Sequence, residues 1–284
     1  MTDLRARLAE DTGVAVTEVS PIGGGHGARH FRARLADGRE LFVKAAGDVG
    51  QEGLEAEARG LRWLAEADAI GVAEVISLHN GLLAALWINE ASPGRATAER
   101  FGRELARLHA AGADRFGAPW PGFIASLPLP NRQADSWPSW YAQCRLLPYC
   151  RLARDAGTFG PSDVALLESV ADRIAELAGP AEPPARIHGD CWSGNVLWSA
   201  GRGWLVDPAA HGGHRETDLA MLALFGAPYL DRIVAAYGEV APLADGWQAR
   251  VPLHQLHPVL VHVCLFGASY REAAVVAARA ALSA

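Results

Sequence analysis

The stretch RIHGDCWSGNVLW, residues 186–198, decides how the rest of the chain is read. His188, Asp190, Trp192 and Asn195 interrupt a run of apolar residues, and glycines at 189 and 194 keep the backbone open. A turn between two strands would also use Asp and Asn, because both favour turns. Asp207 argues for the other reading, a loop that performs chemistry. It stands twelve residues past Asn195, at the end of the apolar strand-like run WLVDP.

Asp190 and Asn195 have the five-residue spacing of the protein-kinase pattern H-R-D-x-x-x-x-N, and His188 stands where that pattern has its histidine. In phosphoryl transfer the aspartate of such a loop orients the acceptor hydroxyl and takes its proton. The asparagine and a later aspartate hold Mg²⁺ against the phosphates. A hard cation wants oxygen ligands, which an amide and a carboxylate supply. Asp190 is therefore the expected catalytic base, and Asn195 and Asp207 are the expected metal ligands.

Working back towards the N-terminus, the other parts occur in the required order. IGGGHGARHF, 22–31, is a Gly-rich loop between strand-like runs, with Gly23, Gly24 and Gly25 as expected phosphate contacts. Alone it is weak, and it is not a G-x-x-x-x-G-K-[ST] loop. Lys44 in ELFVKA matches the strand lysine of V-A-I-K and is read as the end of its strand. Glu57, or Glu55, lies one helix further on as its ion-pair partner. Asn89, Glu90 and Ala91 sit at the lobe boundary, where backbone groups would bond adenine.

Pattern predicts the elements between these points. VAVTEVSPI reads as a strand. HFRARLADGRELFVKAA reads as a hairpin turning at Asp37-Gly38, and VAEVISLHNGLLAALWIN as another at Asn80-Gly81. GLEAEARGLRWLAEA, with Leu54, Leu61 and Leu64 at helical spacing, is the one long internal helix of the first ninety residues. After EASPG, 90–94, the texture changes. TAERFGRELARLHAAG is an amphipathic helix, 116–139 reads as irregular, and 138–156, 161–179, ETDLAMLALFG and everything after about 228 read as helical. The expected fold is α+β and two-lobed, protein-kinase-like. Residues 1–90 form a small antiparallel-sheet lobe for the nucleotide, and residues 91–284 form a larger, mainly helical lobe for catalysis and substrate.

Bulk properties fit this. The chain has 284 residues, half of them apolar, and a net charge of −6. That acidity disfavours a nucleic-acid partner, while local amides, a lysine and Mg²⁺ still allow ATP. The N-terminus has no apolar core of signal-peptide length. LHQLHPVLVHVCLFGAS, 253–269, is short and carries three histidines, so it reads as a buried helix, not a membrane span. The four cysteines form no CxxC pair, which suits a reduced, cytoplasmic protein. Nothing in the sequence reports on oligomeric state.

HGDCWSGNVLW, VDPAAHGGHRETDLAMLALFG and QLHPVLVHVCLFGASY together resemble the fructosamine (ketosamine) kinase family of the protein-kinase-like superfamily, which also holds aminoglycoside phosphotransferases and choline kinases. LEAEARGLRWL and DSWPSWYAQCRL extend the resemblance over nearly the whole chain. It implies ATP- and Mg²⁺-dependent phosphorylation of a sugar hydroxyl on a ketosamine, a small glycated amine or a glycated protein lysine, as a deglycation repair step. It matches Glu57, before Glu55, to the ion-pair glutamate. The Gly-rich loop lacks the small-polar pattern and Cys often seen in that family, and the segment from Lys44 to Glu57 is short. On the acceptor side Trp192 could pack on a sugar face or anchor the loop in the core. His214, Arg215 and Glu216 could line the pocket or form a salt-bridged loop. His262 matches a family position near the sugar. Asp218 is expected to accept backbone N–H bonds from the 188–195 loop. An aminoglycoside or another small hydroxyl compound is the alternative acceptor, and a catalytically silent binding module is the alternative class.

Overall fold

In the computed structural model, which describes residues 2–23, 28–48, 50–79 and 81–284, a twisted sheet and one helix precede a larger helical body. Helix α1 (Thr2–Thr12) leads into β1 (Val16–Ile22), β2 (Ala28–Leu35), β3 (Glu40–Ala46), α2 (Gly50–Ala65), β4 (Gly71–Val72), β5 (Val75–His79) and β6 (Leu82–Leu86). Five of these strands form an antiparallel sheet in the order β1-β2-β3-β6-β5. The β2–β3 hairpin turns at Asp37-Gly38, with Gly38 at φ +90°. The second hairpin forms as read, although Asn80 lies outside the described residues.

Strand parity decides where the lysine goes. Successive side chains in a strand face opposite sides of the sheet. Leu41, Val43 and Ala45 are buried with Leu4 and Leu8 of α1 on one face. Lys44 therefore faces the other side, where Leu54 and Ala58 of α2 pack on Leu83. Both faces of β6 are covered, which is why Leu82 to Ala85 are all buried. Lys44 does not end its strand, because β3 continues to Ala46.

Residues 87–94 carry neither helix nor strand, and α3 (Arg95–Ala110) follows. Its buried Phe101, Leu105 and Leu108 help to build a second core. The segment expected to be irregular contains a small hairpin, β7 (Gly122–Ile124) and β8 (Leu127–Leu129). Helices α4 (Trp137–Tyr141) and α5 (Leu147–Asp155) are joined by a π-helical turn, 142–146, where a continuous helix was expected. Then come α6 (Pro161–Leu177), β9 (Ala185–Ile187), β10 (Val196–Ser199), β11 (Arg202–Leu205), β12 (His211–Gly213), α7 (Glu216–Leu224), α8 (Leu230–Val240), α9 (Trp247–Phe266) and α10 (Arg271–Leu282). The β10–β11 hairpin and the β9–β12 pair bracket the 188–195 loop.

β4 pairs in parallel with β11, Gly71 opposite Trp204 and Val72 opposite Leu205. This edge ties the sheet-bearing part to the helical part. It needs Gly71, where a Cβ would stand 2.7 Å from the Gly203 carbonyl oxygen. By length and composition alone the helical run 247–282 could cross a membrane. In the fold, α9 buries Leu253, Leu256, Val259, Leu260 and Val263 in the largest core.

Candidate active site

The 188–195 loop is held from behind by one carboxylate. Asp218, in the first turn of α7, is fully buried. It accepts the N–H groups of His188 at 2.7 Å and Gly189 at 2.9 Å, as expected from its place in the sequence. His109 Nε2 lies 3.1 Å from the same carboxylate. Burial works against its charge, but the bonds from His109 and His188 outweigh that and hold its pKa below the usual range. His188 lies between two strands: Nε2 meets the Val206 carbonyl at 2.9 Å, and Nδ1 accepts the Asp190 N–H at 3.2 Å. That pattern requires the neutral ring with its proton on Nε2, in line with the lowering of its pKa by burial.

Both glycines of the opening stretch have steric causes. Gly189 has φ +80°, and a Cβ there would stand 2.3 Å from the Ala209 carbonyl oxygen. A Cβ on Gly194 would stand 2.2 Å from the ring of Trp192, which lies over it. The same ring meets Phe225 edge-on at 5.9 Å and stays 37% exposed. Trp192 is thus a rim residue, not a core anchor.

At the front of the loop Asn195 Nδ2 donates to Asp190 O at 2.9 Å, Asp190 Oδ2 at 3.0 Å and Asp207 O at 3.3 Å. Its Oδ1 is left without a protein donor among the described residues. Asp207 takes a left-handed backbone, φ +52°, and its side chain is 53% exposed. Lys44 Nζ bridges Asp207 Oδ1 at 2.6 Å and Glu57 Oε2 at 2.8 Å. The ion pair therefore forms with Glu57.

The electrostatics divide the carboxylates. Burial disfavours a charged Lys44, but Glu57 and Asp207 overcome it and raise its pKa. Burial also disfavours Asp207, yet the Lys44 ammonium holds it below the usual range. Glu57, more deeply enclosed and sharing the same cation, is pushed up to about 7. Asp190 rises to about 7 through burial and the nearby Asp207 charge. A carboxyl poised there is suited to accepting a hydroxyl proton near neutral pH.

These groups converge on one cavity of about 340 Å³. Lys44, Glu57, Asp190, Trp192, Asn195, Asp207 and His262 all line it. Asn195 Oδ1 and the half-open Asp207 carboxylate, on residues that line the same cavity, are oxygen ligands of the kind Mg²⁺ takes. His262 bonds the Pro258 carbonyl through Nδ1 at 2.7 Å and lies 5.4 Å from the Phe225 ring. Gly23 has open space where a Cβ would be, while Gly24 and Gly25 lie outside the described residues. Asn89, Glu90 and Ala91 are exposed and do not line the cavity, and the Ala91 N–H already donates to Trp198 O at 2.7 Å.

Two substrate-side residues are placed elsewhere than the pocket reading had them. His214 and Glu216 are buried and do not line this cavity. Glu216 takes both arms of the Arg250 guanidinium, at 2.6 and 2.9 Å, and Arg215 pairs with Glu182 at 2.7 Å. The salt-bridged alternative holds, because the start of α7 turns these side chains towards α9 and α8. His214, Glu216 and His254 also lie close enough to suggest a metal cluster, but the carboxylate is already paired with Arg250. Sequence reasoning missed His30, Asn131 and His257, which line the cavity. His30 had a signal in the hairpin register, which sets it opposite Lys44. Asn131 and His257 reach the cavity only through long-range packing.

Comparison with known proteins agrees with this architecture. A solved structure described as a putative fructosamine-3-kinase from Thermobifida fusca superposes with a TM-score of 0.96 at 53% identity, covering 100% of both chains. A probable ketoamine kinase of Synechocystis is 34% identical over 249 residues, 84% of this chain and 82% of that one. An aminoglycoside 2″-phosphotransferase solved with gentamicin shares the fold alone, with a TM-score of 0.67 at 14% identity over 100% of this chain and 96% of that one. The fructosamine kinase family model matches residues 1–284. With the loop, the lysine and the paired carboxylates all in one cavity, the chain belongs to the fructosamine kinase family.

Proposed function

We propose that the protein is an ATP-dependent kinase that phosphorylates a sugar hydroxyl of ketosamines, the fructosamine- or ribulosamine-type products of amine glycation, in a deglycation repair step. One observation carries the reading. Asp190, with a raised pKa, and the Lys44–Glu57–Asp207 ion cluster face a single cavity.

The chain's own groups account for the transfer. Asp190 orients the sugar hydroxyl through its carboxylate and takes its proton as the oxygen attacks the γ-phosphorus. The new O–P bond forms as the bond to the β-phosphate oxygen breaks, and ADP leaves. Lys44, steadied by Glu57, holds the phosphates. Asn195 Oδ1 and Asp207 would hold Mg²⁺, which when bound neutralises charge on the phosphates. Asn195 Nδ2 keeps the Asp190 carboxylate aimed. Trp192, flat against Gly194, offers a ring face for the apolar side of a sugar.

The wall favours a ketosamine over an aminoglycoside. Among the described residues Glu57, Asp190 and Asp207 are the only carboxylates lining the cavity, and two of them share Lys44. A polycation would find few anions here. The rim is aromatic instead, with Trp120, Phe123, Trp192, Phe225 and Phe266. Free cysteines at 144, 150, 191 and 264 suit a cytoplasmic enzyme.

Asp190→Asn tests the assignment. It should bind ATP as the wild type does and lose about 10²–10⁴-fold in turnover with a fructosamine or ribulosamine acceptor. Undiminished ketosamine phosphorylation by that variant, or wild-type transfer to aminoglycosides in preference to ketosamines, would refute the reading.

A further inference from the structure

One polar group in the cavity wall has no part in the transfer described above. Asn131 lies between β8 and α4, is 7% exposed, and lines the cavity. Its backbone carbonyl is taken by the Ala118 N–H at 3.0 Å. Its side-chain oxygen accepts from Arg145 Nη2 at 2.8 Å.

Arg145 is itself a built feature. It belongs to the π-helical turn between α4 and α5, an irregularity that recurs at functional sites. It is 1% exposed, stacks over the Trp140 ring at 4.3 Å, and donates to Pro130 O at 2.6 Å and Cys144 O at 3.1 Å. A guanidinium carries donors only. The end of the Asn131 amide that faces it must therefore be the oxygen, so the orientation follows from chemistry.

The Nδ2 end points away from Arg145 and has no protein acceptor among the described residues. It rests against Gly122, another cavity-lining residue, where a Cβ would stand 2.5 Å from it. Gly122 thus keeps open the seat that the amide occupies. The donor lines the open cavity, where a ligand oxygen could accept from it.

We infer that Asn131 is a specificity-determining residue for the acceptor: its Nδ2 donates to a hydroxyl or keto oxygen of the sugar, and Arg145 positions it from behind. The inference rests on the ketosamine reading of the cavity. A neutral donor selects oxygen and gives nothing to the ammonium of a glycated amine. Asn131 therefore holds the sugar end and leaves the amine end to the aromatic rim.

The experiment compares wild type, Asn131→Asp and Asn131→Ala in steady-state kinetics, with a fructosamine-type ketosamine and ATP varied separately. Asn131→Asp keeps an oxygen towards Arg145 and replaces the donor with an acceptor, so it guards against loss of fold, which thermal melting monitors. The expected result is a KM for the ketosamine raised about five- to tenfold in both variants, with the KM for ATP and kcat within about twofold. A series of monodeoxy ketosamines supplies a readout that a structural role would not move. One deoxy analogue should bind the wild type more weakly than its parent, yet bind Asn131→Ala as well as its parent does. Folded variants with wild-type ketosamine KM, or deoxy penalties identical in wild type and variant, would overturn the inference alone. A wild-type enzyme that transfers no phosphate to ketosamines would overturn the functional reading and this inference with it.

Discussion

Asp218→Asn should both destabilise the protein and slow its chemistry, because one buried carboxylate holds the loop that carries Asp190. The two oxygens do separate work. Oδ2 accepts from His188 N at 2.7 Å and faces His109 Nε2 at 3.1 Å, while Oδ1 accepts from Gly189 N at 2.9 Å. The amide isostere retains an oxygen at one of these positions and sets an NH₂ against an N–H at the other. An unpaired buried donor costs about 1–3 kcal/mol, and weakening the remaining charge-assisted bonds adds about 1 kcal/mol. The expected loss is therefore about 2–4 kcal/mol, read in urea as a lower midpoint with an unchanged m-value. The kinetic effect follows from the backbone. Gly189 is pinned at φ +80° against Ala209, so repulsion at its N–H tilts the peptide that leads into Asp190. A misaimed base should reduce kcat by about 10–100-fold. The KM for ATP should stay near wild type, since Lys44 and Glu57 lie on β3 and α2. A variant with wild-type midpoint and wild-type kcat would refute the argument. A midpoint loss with unchanged kcat would confine Asp218 to stability.

Three further outcomes follow from the same geometry. Lys44→Ala leaves Glu57 and Asp207 facing each other without their cation. It should lower kcat/KM for ATP by about 10²–10³-fold, and equal nucleotide affinity by calorimetry would contradict the ion-cluster role. Burial lowers the pKa of His211 and His214 to about 3 each. As pH falls, the unfolded chain takes up these protons first, near its ordinary pKa of about 6.5. Their stabilisation is then complete above that pH and is lost as pH drops towards 3, with a slope of about 2.7 kcal/mol per pH unit near pH 4.5. Urea midpoints that do not fall between pH 7 and 4.5 would contradict this. Gly189→Ala and Gly201→Ala both place alanine on a left-handed backbone, but only the first meets a wall, the Ala209 carbonyl. Gly201→Ala should cost about 1–2 kcal/mol, while Gly189→Ala should abolish turnover. Comparable melts and rates for the two would remove the steric account of the loop.

Much of the site was legible because its logic is local. The five-residue spacing of Asp190 and Asn195 survives folding, since one short loop delivers both. Strand parity in the β2–β3 hairpin sends Lys44 to the α2 face, and the apolar pattern of α2 turns Glu57 back towards it. The expected backbone bonds to Asp218 also form. Legibility failed where direction depends on distant packing. His214 and Glu216 follow Asp207 closely in sequence, yet α7 turns them towards Arg250 and Glu182. Residues 89–91, expected as adenine contacts, do not line the cavity, and the Ala91 N–H is taken by the Trp198 carbonyl.

The sequence by itself determined the order of the chemical parts, the hairpins, and the amphipathic helices that carry them, because each is set by neighbours a few residues away. Tertiary structure alone decided the remaining lining of the cavity. Asn131 reaches it because Arg145, fourteen residues on, fixes its amide. Phe225 and His262 meet because α9 packs on α7. β4 joins β11 across more than a hundred residues of chain. No periodicity encodes such contacts: they arise when apolar faces from separate elements are buried together, and the orientation that burial imposes sets which polar groups face the substrate.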